Sequence, residues 1–377
     1  MKIAIVIPSF NRPQALQRLL NSLYNARYSE DVDLIFSIDF SGNDDVKIVA
    51  EKCMWRFGNK KIICHKNNLG LRQNILFCGD LTSEYDAIIL LEDDLVVSPS
   101  FFTYAIKAAS FYDNNDKIAG ISLYSYSVCE IGNFRFYPFL DEYDTYFIQW
   151  PSSWGQLWTR KQWISFREWQ KLGKNLVTLD IPDEVKYDWS HSWKKYFIGY
   201  MVDMDKYFVY PYKSYSNELG KDGVHHLDGN SIYTVNMYDG YDDDFRFRSF
   251  DNAHNLYDCY FQFKDRDMTI GGDIIKVAFD LYGTKELDNI HTDYVITSRQ
   301  VNKNEIILSF SDEMLPYERN ILNNISGNMF KLTRLQSVCR KNLSPVTKLN
   351  LGIRITAKEM LKYIGIRLVD KVLNNGK

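Results

Sequence analysis

Four short apolar runs, each ending in polar residues, constrain this chain more than any other feature. Ile3-Ala4-Ile5-Val6-Ile7 reads as a strand apolar on both faces, closed by Pro8-Ser9. Asn11 is placed to cap a helix in which Leu16, Leu19, Leu20 and Leu23 recur at helical spacing. Leu34-Ile35-Phe36-Ser37-Ile38 forms a second run and stops at Asp39, ahead of the turn-rich Ser41-Gly42-Asn43-Asp44-Asp45. A helix is expected from Val46 to about Phe57. Ile62-Ile63-Cys64 is the third run, followed by Asn67-Asn68 and a helix from about Leu71. Ala87-Ile88-Ile89-Leu90-Leu91 is the fourth, and it runs straight into Glu92-Asp93-Asp94; Pro99-Ser100 then opens a helix to about Tyr112. Strand–helix alternation of this kind predicts an α/β fold with a mostly parallel sheet flanked by helices. In such sheets ligands bind beyond the carboxyl ends of the strands, where these polar residues collect.

A chain of 377 residues with 45% hydrophobic content can bury a sizeable core and hold more than one compact unit. Three parts are expected: 1–119 as a nucleotide-binding half, 120–250 as an acceptor-binding and catalytic half, and 251–377 as an extension of mixed, then helical, structure. Forty-five basic residues against 48 acidic ones argue against nucleic acid as a partner. The six cysteines form no Cys-x-x-Cys pair and no zinc-ligand spacing, which reads as thiols in a reducing compartment. No signal peptide or membrane-length apolar window is found, so a cytoplasmic location is expected. The basic, partly amphipathic C-terminus suggests a peripheral contact at the inner face of the cytoplasmic membrane, and a homodimer is a further expectation.

Three consecutive carboxylates at a strand end repel one another unless positive charge is present. Hard oxygen donors suit Mg²⁺ or Mn²⁺, with substrate phosphates supplying further ligands. Such a site neutralises a leaving diphosphate.

The motif Ile5-Val6-Ile7-Pro8-Ser9-Phe10-Asn11-Arg12-Pro13 resembles the opening of family 2 inverting glycosyltransferases of the GT-A fold. Leu91-Glu92-Asp93-Asp94-Leu95-Val96-Val97-Ser98-Pro99, with Phe101-Phe102 after it, is similar to the Glu-Asp-Asp segment of Golgi N-acetylglucosaminyltransferases. The resemblance covers roughly residues 1–226 and implies a Rossmann-like GT-A domain with an α/β acceptor half, followed here by a helical C-terminal extension. It assigns the metal to Asp94. Pro8, Asn11, Arg12, Asp39, Leu71, Arg72, Glu92 and Asp93 fall at positions that hold the nucleotide, for which uracil is the default base. The usual Asp-Arg of the first motif is Asn11-Arg12 here.

Pro151-Ser152-Ser153-Trp154-Gly155-Gln156-Leu157-Trp158 resembles the Ser-Trp-Gly segment of bacterial polysaccharide glycosyltransferases. Trp154 offers a flat face to a sugar, and Gly155 allows close backbone approach to a ligand. Trp158 and Trp163 read as core. An inverting transferase needs a carboxylate to deprotonate the acceptor hydroxyl, opposite the leaving group. The candidates are Asp180, Asp183, Glu184, Asp188, Asp203 and Asp205. Asp188, in Tyr187-Asp188-Trp189, is similar to the segment carrying the base in the Golgi enzymes, and Glu184 is the second choice. Partial burial among aromatic neighbours is expected to strengthen Asp188 as a base. A helix from Trp189 to Phe197, capped by Asp188, is the plain structural alternative. The segment from Ser216 to His226 matches the family's mobile loop, which implies that Lys221, Asp222, Gly223, His225 and His226 meet the sugar, the diphosphate or the metal. Asp242-Asp243-Asp244 lacks a preceding strand and reads as a solvated turn.

The resulting expectation is transfer of a hexosyl or N-acetylhexosaminyl unit from a nucleotide sugar to a glycan or lipid-linked glycan acceptor. Two other readings compete with it. A nucleotidyltransferase would carry a glycine-rich, basic signature after its first strand, which this chain lacks. A non-catalytic glycan-binding protein would have no use for both Asp94 and Asp188.

Overall fold

The computed structural model describes residues 1–219, 231–340, 343–353, 355, 360, 361 and 364. The chain divides into two compact units. One takes in residues 1–126 and 140–259, the other residues 127–139 and 260 onward.

The first unit opens as the sequence predicts, with β1 Ile3–Ser9, α1 Pro13–Asn25, β2 Asp33–Ile38, α2 Asp45–Lys52, β3 Lys60–Cys64, α3 Gly70–Asp80 and β4 Ala87–Leu90. Helix α2 ends at Lys52, short of the expected Phe57, because residues 53–57 turn to pack on β2: the Trp55 indole donates to the Val32 carbonyl at 2.7 Å. Arg12, not Asn11, takes the cap position of α1. The remaining elements are β5 Leu95–Val97, α4 Phe101–Tyr112, β6 Ile118–Ser122, β7 Thr145–Ile148, β8 Gln156–Thr159, α5 Arg160–Lys171, α6 Asp183–Tyr187, α7 Lys194–Asp203, β9 Tyr207–Pro211, β10 Ser216–Glu218 and β11 Leu256–Tyr257.

Nine of these strands form one sheet in the order β11-β7-β9-β6-β8-β4-β1-β2-β3, mostly parallel. Strand β8 runs antiparallel between β4 and β6. One face packs against α1, α2 and α4 through Ile5, Ile7, Leu20, Phe36, Ile89 and Phe102. The other face carries an aromatic layer in which Trp158 stacks near Phe197 and Trp163. Trp158 and Trp163 are buried there as core residues. A capping box starts α5: the Gln162 amide donates to the Thr159 hydroxyl, and the Thr159 amide donates to the Gln162 side chain.

The expected helix of residues 189–197 is displaced. Asp188 terminates α6, and α7 begins only at Lys194.

In the second unit, the mixed stretch after residue 251 resolves largely into a sheet. Strands β12 Arg266–Ile270, β13 Asp273–Asp280, β14 Tyr294–Thr297, β15 Ile306–Phe310 and β16 Phe330–Arg334 lie in the order β12-β13-β14-β16-β15. Two short helices, α8 Glu318–Leu322 and α9 Pro345–Asn350, accompany them. The mixed, then helical, structure expected of 251–377 is therefore largely strand up to Arg334. Leu332 and Thr333 are buried between β14 and β15, and non-local pairing overrides the local signal.

Candidate active site at the carboxyl edge of the sheet

The chain leaves β1 on one side to build β2 and β3, then returns to lay β4 on the other side of β1. That reversal opens a crevice at the carboxyl ends of β1 and β4. Arg12 follows β1 and Glu92-Asp93-Asp94 follow β4, so residues about 80 positions apart in sequence meet there. One guanidinium nitrogen of Arg12 lies 2.5 Å from Asp93, and the other donates to Asp94 at 2.6 Å. Asp93 is buried, while the Asp94 side chain stays 24% exposed, which leaves Asp94 the accessible acid of the two.

One guanidinium does not balance three acids. Burial, and then the charge of Asp94, push Glu92 up to about 8; Arg12 and Lys194 pull it down. Burial also raises Asp93 to about 6 against the pull of Arg12. Arg12 is held protonated above its ordinary value: burial opposes its charge, but Asp93, Asp94 and Glu92 outweigh that. The edge therefore favours added positive charge, either a proton on Glu92 or a cation among the acids.

Asp39, just after β2, is bonded to the backbone around it. Its carboxylate accepts the backbone N–H groups of Phe40 at 2.9 Å, Leu69 at 2.7 Å and Gly70 at 2.9 Å. It thereby ties the end of β2 to the start of α3. Behind it, Ser37, His65 and Asn74 form a hydrogen-bonded group beneath the edge. Of the other expected nucleotide contacts, Pro8 is buried at the end of β1, Asn11 and Leu71 are exposed at the rim, and Arg72 donates to the Ser190 carbonyl at 3.1 Å.

Trp154 is half-buried among Tyr124, Tyr126 and Tyr233, with ring centroids 4.7, 5.6 and 5.0 Å away. Gly155 has φ +93°, and a Cβ there would lie 3.0 Å from the Ser216 hydroxyl and 3.3 Å from Leu123. These neighbours and the left-handed backbone both call for glycine at this position.

Asp188 is exposed, so the partial burial expected of it is not found. Its neighbour Trp189 does pack edge-on against Trp150 at 5.6 Å. Glu184 is also exposed. Two of the weighed acids lie at the wrong edge. Asp203 ends α7 and Asp205 precedes β9, and β9 starts opposite the crevice because it runs parallel to β6. Both are engaged there: Asp203 accepts from Trp169 and Lys174 at 2.6 Å each, and Asp205 pairs with Lys117 at 2.6 Å. Lys221, Asp222, Gly223, His225 and His226 lie outside the described residues. The segments on either side of them are fixed at the site. The Leu219 amide donates to the Asp94 carbonyl at 3.2 Å, and Val235 exchanges two 3.1 Å bonds with the Asn217 side chain.

Two residues near this edge were not singled out from sequence. Glu218 is 4% exposed and pairs in register with Leu95, next to the acidic triplet. Lys194, at the start of α7, is 5% exposed. A lysine at a helix start with apolar and aromatic neighbours was the available signal for the second.

No helix among the described residues is long and apolar enough to cross a membrane. No curated protein matches the sequence significantly. Among solved structures, TarS 1–349 of S. aureus in complex with UDP-GlcNAc aligns at 14% identity and TM-score 0.40, over 61% of this chain and 62% of that one. A second TarS 1–349 structure gives TM-score 0.38 at 14% identity, over 57% and 60%. The mannosyltransferase PcManGT of Pyrobaculum calidifontis, in complex with GDP-Man and Mn²⁺, aligns at 12% identity and TM-score 0.25, over 32% and 34%. This chain thus spans less than two thirds of the length of each, and scores this low decide neither sugar nor acceptor. Residues 4–185 match the family model described as Glycosyl transferase family 2. The matched stretch covers somewhat less than half of the chain and takes in Arg12, Asp39, the acidic triplet and Trp154.

Proposed function

We propose that this chain transfers a sugar from a nucleoside-diphosphate sugar, with UDP as the carrier, to a hydroxyl of a glycan or lipid-linked glycan acceptor, with inversion at the anomeric carbon. The observation that carries the reading is the uncompensated acid cluster at the β1/β4 crevice, inside a glycosyl transferase family 2 region.

A divalent cation suits this donor set. All its ligands would be hard oxygens, and Asp94 is the acid with an exposed edge. Among the described residues no three His, Cys, Asp or Glu side chains enclose a metal. A site of one or two carboxylates completed by diphosphate oxygens and water agrees with that. Mn²⁺ or Mg²⁺, when bound, supplies charge neutralisation of the leaving diphosphate. Arg12 holds Asp93 and Asp94 in place by its two ion pairs. Glu92, which is half-buried, faces the ribose or the sugar, while the buried Asp93 fixes Arg12 from beneath. Trp154 offers its face to a sugar ring. Asp188, on the α6–α7 side of the crevice, takes the proton of the attacking hydroxyl by virtue of position, since it stays in contact with solvent. The exposed Leu361 and Ile364 suit a peripheral membrane contact.

The test is calorimetric binding of UDP with and without Mn²⁺, followed by transfer assays. Metal-dependent UDP binding is expected in the native chain and its loss in Asp94→Ala. Asp188→Asn should keep UDP binding and lower kcat by roughly 10²–10⁴-fold. UDP binding that ignores both metal and Asp94 would sink the assignment. A full rate in Asp188→Asn would pass the base role to Glu184.

A further inference from the structure

Lys194 is the first residue of α7 and is 5% exposed. Both circumstances disfavour a lysine. A helix start carries positive partial charge, and burial removes the water that stabilises an ammonium. Its contacts among the described residues include π faces and a hydroxyl. Lys194 Nζ lies 5.3 Å from the Trp150 ring, 5.7 Å from Trp154 and 5.8 Å from Trp189, and 3.5 Å from the Tyr126 hydroxyl.

These partners come from four places in the sequence and converge because α7 runs back across the sheet from the crevice edge toward the start of β9. The Trp154 carbonyl accepts from the Ser216 hydroxyl, and the strand that Ser216 opens pairs with Leu95–Val97, which ties this cage to the chain directly after the acidic triplet. Trp150 is buried, but Trp154 and Trp189 are half-buried, so two walls of the cage reach solvent. Indole faces suit the C–H face of a pyranose and suit phosphate poorly. A diphosphate belongs instead at the Arg12 and Asp94 end of the crevice.

We propose that Lys194 is a specificity-determining residue for the donor sugar: the ring packs on Trp154 and Trp189, and the ammonium donates to an oxygen substituent of that ring. The inference rests on the transferase reading and deepens it. Its test compares UDP, UDP-glucose, UDP-galactose and UDP-N-acetylglucosamine on the full chain with Mn²⁺, by calorimetry. In Lys194→Met, UDP should bind within about threefold of native, while the spread of affinities among the three sugars shrinks tenfold or more. Lys194→Arg keeps the charge on a planar head and should change the order of sugar preference. An equal loss for UDP and all its sugars in Lys194→Met would place the ammonium on the diphosphate and overturn the proposal. An unchanged sugar spread would reduce Lys194 to a core cation and overturn it too. Should Lys194→Met fail to give a cooperative melt, an unaltered preference in folded Lys194→Arg is the overturning result. A native chain that binds neither UDP nor any of the sugars would defeat the donor reading itself, and this inference with it.

Discussion

Buried acids in the two units of this chain receive opposite treatment. In the second unit Asp280 stands alone at 0% exposure. It accepts from Arg299 Nε at 2.7 Å, the Thr297 hydroxyl at 3.2 Å and the Lys285 amide at 3.1 Å. Arg299 is satisfied in turn by the carbonyls of Gly283 at 2.8 Å and Lys285 at 2.7 Å. In the first unit three acids share one guanidinium and the distant pull of Lys194. Burial raises Glu92 and Asp280 alike, but only Glu92 has carboxylates beside it that raise it further. A lone acid with its bonds complete belongs to the architecture. A crowd of acids short of positive charge belongs to a ligand.

The comparison breaks most visibly at Asp280. Replacing it with Asn leaves Arg299 buried without a counter-charge and should cost about 3–5 kcal/mol in thermal or denaturant unfolding, with UDP binding by the folded protein unchanged. Asp94→Asn should do the reverse: unfolding stability within about 1 kcal/mol of native, and Mn²⁺-dependent UDP affinity down by roughly 100-fold or more. If the two variants behave alike, the contrast drawn here is wrong.

A pH series sharpens it further. Glu92 keeps its proton in the folded chain up to about 8, whereas the unfolded chain loses it near 4.5. Between those values the folded state binds more protons, so stability falls as pH rises. Metal-free protein should lose about 2 kcal/mol between pH 5 and pH 7 from this group, and Glu92→Gln should flatten that part of the profile. The smallest effect is at Gly155. Alanine at φ +93° beside Ser216 should cost roughly 1–2 kcal/mol and weaken sugar binding more than UDP binding.

The β1–β4 half was legible because its strands are buried on both faces. Such strands read as unbroken apolar runs, as in Ile3-Ala4-Ile5-Val6-Ile7, and polar residues are confined to their ends. The acidic triplet was legible for the same reason. What it pairs with was not, since the contact to Arg12 depends on which side of β1 the fourth strand is laid. The Lys194 cage was still less visible. Tyr126, Trp150, Trp154 and Trp189 are aromatic residues in an aromatic-rich stretch, and nothing local marks them as one group. Asp188 was chosen with aromatic neighbours in mind, but Trp189 turns inward toward Trp150 and leaves the acid outside. In the second unit, Phe330-Lys331-Leu332-Thr333-Arg334 mixes apolar and basic residues in a way that suits a helix or a strand. Only pairing with β14 and β15 decides between them.

Asp39 has a consequence for any phosphate that enters this crevice. Nucleotide-binding sheets often hold an anion on the exposed amides at the start of a helix. Here a side chain of the protein itself has already taken the Leu69 and Gly70 amides at the mouth of α3. That dipole is quenched before any substrate arrives, so a diphosphate must find its countercharge in ions or basic side chains and gains little from the backbone of this helix.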